Sequence, residues 1–285
     1  KQPELISTPV VNQAVELDEN IVIENDQLSL TFTNKGGNLR SIVVKDYSLA
    51  DKETPVQLIP EDQDLTNIVL KTSDGYISLA DYNLKYEHSQ TDSAQVLTFY
   101  FESENGTKLL SKVFTLYDDY TLDLKFINEN YASLDGYTIG FDSGIKLTEE
   151  STASTKDKKN SFKLISQVGN KYEQVTLYKI NKEIGKMTNQ GTKDATLKHY
   201  GSIDWAAVRS KYFIYALIPE KKIESKGIDI FASEDSPAFV YNVDFSKRSS
   251  VFEDNYQLYL GPVDYSKLSA FNNGMEDIAE LGSAW

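Results

Sequence analysis

Cysteine is absent from the 285-residue chain, which excludes disulfides, thiolate metal sites and cysteine nucleophiles. Histidine is nearly as scarce. His88 and His199 stand alone among ordinary polar and aromatic neighbours, without a second ligand three or four residues away, so a zinc centre has no framework. Basic charge is also short: 29 Lys and Arg against 43 Asp and Glu leave a net charge of −14. A surface this acidic repels phosphate backbones and anionic headgroups, which argues against nucleic-acid binding and polybasic membrane docking. The longest apolar run, residues 213–218, is far below the ~20 residues that a bilayer-spanning helix needs.

What the chain does have is aromatic and aliphatic material. With 18 Tyr, 13 Phe and 40% hydrophobic residues, it can bury a sizeable core and is not a disordered polymer. Much of that material alternates. Leu28, Leu30 and Phe32 interleave with Ser29 and Thr31, residues 34–37 supply a turn, and residues 39–44 resume a strand, which predicts a β-hairpin. A second hairpin is predicted where Leu97, Phe99 and Phe101 lead through Asn105 and Gly106 into residues 110–116. Asn105, Gly106 and Thr107 also spell a glycosylation sequon, but Asn-Gly between alternating strands already has a structural reason. Tyr120, Leu122, Leu124 and Phe126 give the cleanest period of two. Further strands are predicted over residues 137–141, 205–218, 227–231, 238–245 and 256–260, and helices are few.

The ends and one internal stretch differ. Residues 1–20, with two prolines and no periodicity, read as a tether, and residues 149–161 have the composition of an exposed loop. After Gly261 and Pro262, Leu268, Phe271, Met275 and Ile278 recur at helical spacing, with Asp264 placed to cap. An amphipathic helix over residues 263–285 is therefore predicted, its apolar stripe docking on the sheet or meeting a membrane or a partner. The resulting layout is a tether over residues 1–20, an all-β domain over 21–262 and the helix over 263–285. The chain opens with Lys1 rather than Met, which suggests a piece of a longer or processed protein.

Catalytic patterns fail one by one. No G-x-S-x-G elbow occurs, since residues 140–144 carry their serine one position late. Gly36 and Gly37 join strands rather than opening a helix, and Gly185-Lys186 lacks the upstream glycine of a phosphate-binding loop. The acidic pairs at 118–119 and 149–150 fall in predicted turns, and no calcium-loop pattern is present. No catalytic, cofactor-binding or metal-binding residue is predicted.

Three segments carry a resemblance. IENDQLSLTFTNKGGN at residues 23–38, GSIDWAAVRSKYFIYALIP at 201–219 and YQLYLGPVDYSKLSAFNNGMEDIAELGSAW at 256–285 resemble the large periplasmic domain of the YidC membrane protein insertase family. The resemblance implies a β-supersandwich of the galactose-mutarotase type, closed by the C-terminal helix and lacking the family's membrane-embedded insertion core. It further implies a missing membrane anchor before the tether and a span after the helix, with Trp285 at the membrane interface. Its implied place is the periplasmic face of the inner membrane of a Gram-negative envelope. The implied partners are SecDF and other Sec translocon components together with nascent membrane proteins, and the implied role is help with insertion and folding. A carbohydrate epimerase or sugar-binding module of mutarotase-like fold is the alternative from another class, and a peptide holdase using sheet edges could coexist with the first reading.

Overall fold

The computed structural model describes residues 17–141, 144–146, 148, 163–169, 171–176, 179, 182–183, 186, 194–221, 225–233 and 236–279. The loop predicted over 149–161, most of the tether and Trp285 lie outside the described residues.

Among the described residues seventeen antiparallel strands form the domain, and two of them organise the rest. β10 (Thr121–Phe141) and β17 (Ser236–Pro262) run side by side along almost their whole lengths, yet their outer neighbours change half way. In the first limb, the early half of β10 pairs with β9 (Lys108–Leu116), which continues to β8 (Gln95–Glu102) and β7 (Lys85–Gln90). On the far side of that limb, the late half of β17 pairs with β15 (Phe213–Pro219), followed by β14 (Ile203–Arg209), β11 (Lys163–Val168) and β12 (Lys171–Thr176). In the second limb, the late half of β10 pairs with β5 (Leu65–Thr72), which borders β6 (Gly75–Ser78) and reaches β3 (Asn38–Ser48) through Leu39 and Leu65. β3 carries β2 (Leu28–Thr33), β1 (Asn20–Glu24) and the short β4 (Pro55–Gln57). The early half of β17 pairs with β16 (Ser225–Ser233) and then β13 (Asp194–Tyr200).

The change of partners coincides with register shifts between Glu129 and Gly136, where Asn130 has a positive φ of 79°. A bulge leaves ladder groups unpaired, and the buried Asn128 side chain takes up two of them, accepting from Tyr131 N and donating to Ala132 O, each at 2.9 Å. Aromatic rings then close one limb onto the other. Phe32 on β2 packs at 4.6 Å from Phe114 on β9, and Phe141 on β10 stacks at 5.6 Å on Tyr215 of β15. At the crossover, the buried Tyr137 hydroxyl donates to Asp254 at 2.5 Å and also meets the Tyr256 hydroxyl. Burial, then the neighbouring Tyr256 and Asp254, pushes the Tyr137 phenol well above its usual range, so it stays a donor.

The Gly-Gly turn after β2 is fixed from beneath. Gly36 and Gly37 adopt φ of 70° and 58°, and a Cβ on Gly36 would lie 2.9 Å from Ala80 backbone atoms. The fully buried Lys112 ammonium on β9 donates to Gly36 O, Asn38 Oδ1 and Thr66 O at 2.9, 2.9 and 2.8 Å. Burial pushes this amine well below the usual lysine range, opposed by Asp64, but three carbonyl oxygens match three N–H bonds, a requirement that only the protonated form meets.

Three boundaries differ from the sequence reading. Residues 205–218 form two strands, β14 and β15, because Ser210 and its neighbours turn the chain, Ser210 N donating to Phe213 O at 2.8 Å. Residues 238–245 and 256–260 belong to the single strand β17. The C-terminal element is an α-turn, α1 (Tyr265–Ser269), and a separate 3₁₀ turn (Met275–Ala279), rather than one helix. Asn272 and Gly274, with φ of 50° and 82°, interrupt the helical path between them.

Candidate functional site

The most elaborated surface feature is the docking of residues 263–279. Asp264 caps α1 through bonds from Ser266 N at 2.8 Å and Lys267 N at 3.1 Å. Its carboxyl is held below the usual range, first by the Ser266 hydroxyl and then by the Lys267 backbone N–H. Leu268, Met275 and Ile278 are buried in the common core, while Phe271 is half-buried and meets the Tyr259 ring edge-on at 5.7 Å. Full burial of such side chains is worth about 1.5 to 3 kcal/mol each. Trp285 is outside the described residues.

Two side chains on β14 lock this packing, and the sequence reading assigned neither of them a role. The Trp205 indole N–H donates to Asn273 O at 3.0 Å, in the interval between the two helical turns. The buried Arg209 guanidinium donates to Ser210 O at 3.0 Å, Lys211 O at 3.1 Å and Ile278 O. A helix end leaves carbonyls unpaired, and here the sheet supplies the donor. Trp205 and Arg209 share parity along β14, but every residue from 205 to 209 is buried, so no alternation singles them out and the sequence carries no signal for their role. Lys267 lies over the Tyr120 ring at 5.0 Å, and Tyr120 in turn donates to Asp46 at 2.7 Å.

The two histidines are not brought together by any strand pairing. His88 is exposed on β7, the outermost strand of the first limb on its side, and His199 is half-buried on β13, at the border of the second limb. Burial lowers the His199 pKa, Glu173 raises it and Lys179 lowers it, while its buried Nδ1 has no hydrogen bond among the described residues. A cleft of about 280 Å³ beside Glu24, Asp26, Lys45, Asp92 and Asp118 is polar, unlike an apolar cradle for a hydrophobic peptide. Among the described residues, no group of three or more His, Asp or Glu is placed to hold a metal ion.

A family model of the YidC periplasmic domain matches residues 20–285. The chain belongs to the YidC periplasmic domain family. Proteins named membrane protein insertase YidC are similar to it at low identity: that of Chlorobaculum tepidum is 23% identical over 95% of this chain and 46% of its own length. That of Treponema denticola is 25% identical over 90% of this chain and 45% of its own length. The chain therefore spans just under half the length of these YidC relatives. Among solved structures, an α-N-acetylgalactosaminidase from Bifidobacterium bifidum superposes with a TM-score of 0.58 at 11% identity, over 92% of this chain and 39% of that one. A galactose mutarotase-like protein from Lactobacillus casei superposes with a TM-score of 0.51 at 13% identity, over 86% of this chain and 100% of that one. These likenesses establish the fold of this YidC domain as a mutarotase-like β-supersandwich. Among its described residues no helix is long and apolar enough to cross a membrane.

Proposed function

We propose that this chain is the non-catalytic periplasmic domain of a longer inner-membrane insertase and that it assists membrane-protein insertion as a rigid body joined to the membrane core. In this reading residues 1–20 tether the domain to a membrane anchor, residues 21–262 form its body and residues 263–285 lead to a transmembrane span. The domain contacts SecDF and other Sec translocon components, and emerging membrane-protein segments are its clients. The observation that carries the reading is the clamp on residues 263–279. A segment held by three buried apolar side chains, an indole and a guanidinium transmits the orientation of the sandwich to the chain beyond residue 279.

The test is insertion in cells depleted of their own insertase and supplied with the longer natural protein. Arg209→Ala should reduce insertion of Sec-dependent clients while the protein still accumulates in the membrane. Full support by that variant would remove rigid coupling from the reading. Purified domain should also retain soluble domains of SecD or SecF in a binding assay, and failure to do so would remove the Sec contact.

Sugar chemistry is the rival suggested by the fold. His88 and His199 sit on outer strands of different limbs, and although Glu173 acts electrostatically on His199, the buried Nδ1 of that ring has no hydrogen bond among the described residues, so no hydrogen-bonded imidazole and carboxylate pair forms at that nitrogen. Polarimetry with hexoses should show no acceleration by the domain, and acceleration abolished by His199→Ala would replace this reading.

A further inference from the structure

Around the start of α1, rings and lysines gather on the outside of the fold. Tyr47 at the end of β3, Tyr212 in the β14–β15 turn and Tyr265 in α1 are 38%, 50% and 47% exposed. They form one neighbourhood. The Tyr47 ring meets Phe213 edge-on at 5.3 Å, Val263 N donates to Tyr212 O at 2.7 Å, and Asp264, next to Tyr265, acts electrostatically on Tyr120 and Tyr259, as does Tyr47. Two lysine ammonium groups stand over rings here, Lys211 Nζ at 4.9 Å from the Tyr212 centroid and Lys267 Nζ at 5.0 Å from that of the neighbouring buried Tyr120. Asp46 and Asp264 stand among them, so the patch has no large net charge.

The position of the chain exit gives this patch its meaning. Arg209 donates at once to Lys211 O and to Ile278 O, so the last described turn is fastened beside the residue preceding Tyr212. Trp285 is the sixth residue after Ala279, and six fully extended residues reach at most about 20 Å. Amphipathic rings with polar tips settle at the level of lipid headgroups, and lysine stems cover apolar surface while their heads stay wet. We propose that Tyr47, Tyr212 and Tyr265, with Lys211 and Lys267, form a docking face for the headgroup zone of the bilayer. The proposal rests on the reading that a membrane span follows residue 285. The rings and not net charge do the binding, since a chain at −14 gains nothing from anionic lipid.

The absence of cysteine makes single-site labelling clean. The whole chain is fastened by a C-terminal histidine tag to chelator lipids in phosphatidylcholine vesicles, which supplies the membrane tether whether or not a natural span exists. An environment-sensitive fluorophore is placed on Ser266→Cys in one protein and on Glu104→Cys in another, the latter beyond the far end of β9, about 30 Å of strand away from Leu116. The expected result is a blue shift and loss of iodide quenching at position 266 and neither change at 104. Tyr212→Ser with Tyr265→Ser should abolish the shift while the melting temperature is kept. A label at 266 as quenchable as that at 104 overturns the proposal. So does protection that survives the double variant, or protection seen only when phosphatidylglycerol is added. Failure of the span reading would show separately, in the membrane topology of the longer natural protein.

Discussion

The Gly-Gly turn and the C-terminal segment are held by the same chemical device, used to different ends. In each, one buried cation donates to three oxygens, most of them carbonyls where the ladders break: Lys112 to Gly36 O, Thr66 O and the Asn38 side-chain Oδ1, and Arg209 to Ser210 O, Lys211 O and Ile278 O. Irregular backbone has carbonyls that no ladder satisfies, so a cation within the fold gains bonds that offset part of its desolvation. The difference lies in what is joined. Lys112 ties β9 of one limb to β3 and β5 of the other, which makes it a rivet of the fold itself. Arg209 ties an appended segment to a sheet that is already complete, which makes it a coupling between the body and the C-terminal end of the chain.

That contrast is open to direct attack, beginning with the largest effect. Lys112→Met leaves three buried acceptors unpaired at 1 to 3 kcal/mol apiece, so a global loss of about 3 kcal/mol or more is expected in urea denaturation. A loss below about 1 kcal/mol would show that the rivet is dispensable. Arg209→Met should cost about 2 kcal/mol and do so locally: amide exchange across residues 265–279 should accelerate while β8 and β9 keep their protection. Equal acceleration everywhere would erase the distinction between the two cations. Asp264→Ala should cost about 1 kcal/mol, confined to α1, as for other N-caps. The smallest effect concerns the third basic group. His199 is half-buried with its Nδ1 unbonded, and burial lowers its pKa from 6.5. The unfolded chain then takes up the proton first as pH falls, so this ring's contribution is present above about pH 6.5 and is lost between that value and the lower folded-state pKa. His199→Gln should flatten the melting temperature against pH across that window, and an unchanged slope would mean that the ring titrates alike in both states.

The alternating strands were legible because one face of each is apolar: Leu28 to Phe32, Leu97 to Phe101 and Tyr120 to Phe126 all lie where the period of two puts them. Strand continuity was harder to see. β17 crosses polar residues 246–250 between two apolar stretches while, among the described residues, β10 alone pairs with it there, through Ser246 opposite Gly136 and Ser249 opposite Leu134, a tertiary cause with no local signature. The break in the C-terminal helix had a local clue in Asn272 and Gly274, which both tolerate the left-handed region, but the regular apolar spacing outweighed it. Of the clamp residues, Lys112 shares parity with Leu110, Phe114 and Leu116, so a lysine on the inward face was visible in principle. That its ammonium meets carbonyls from two other strands was not, since those partners are 46 to 76 residues away in sequence.

The shared strands also decide how the domain bears a load. β17 enters from one limb, leaves through the other and ends at Pro262, immediately before the clamped segment. Tension arriving through Ala279 would first be resisted by Arg209 and Trp205 and then run along β17, which is paired with β15 over residues 256–262 and with β10 over residues 251–259. Ladder bonds on both sides are then sheared together rather than unzipped one by one. Stretching the chain between Leu17 and Ala279 should give a small early release of residues 263–279 followed by a single large rupture of both limbs. A staircase of separate limb openings would mean that the strands common to both do not act as one mechanical spine.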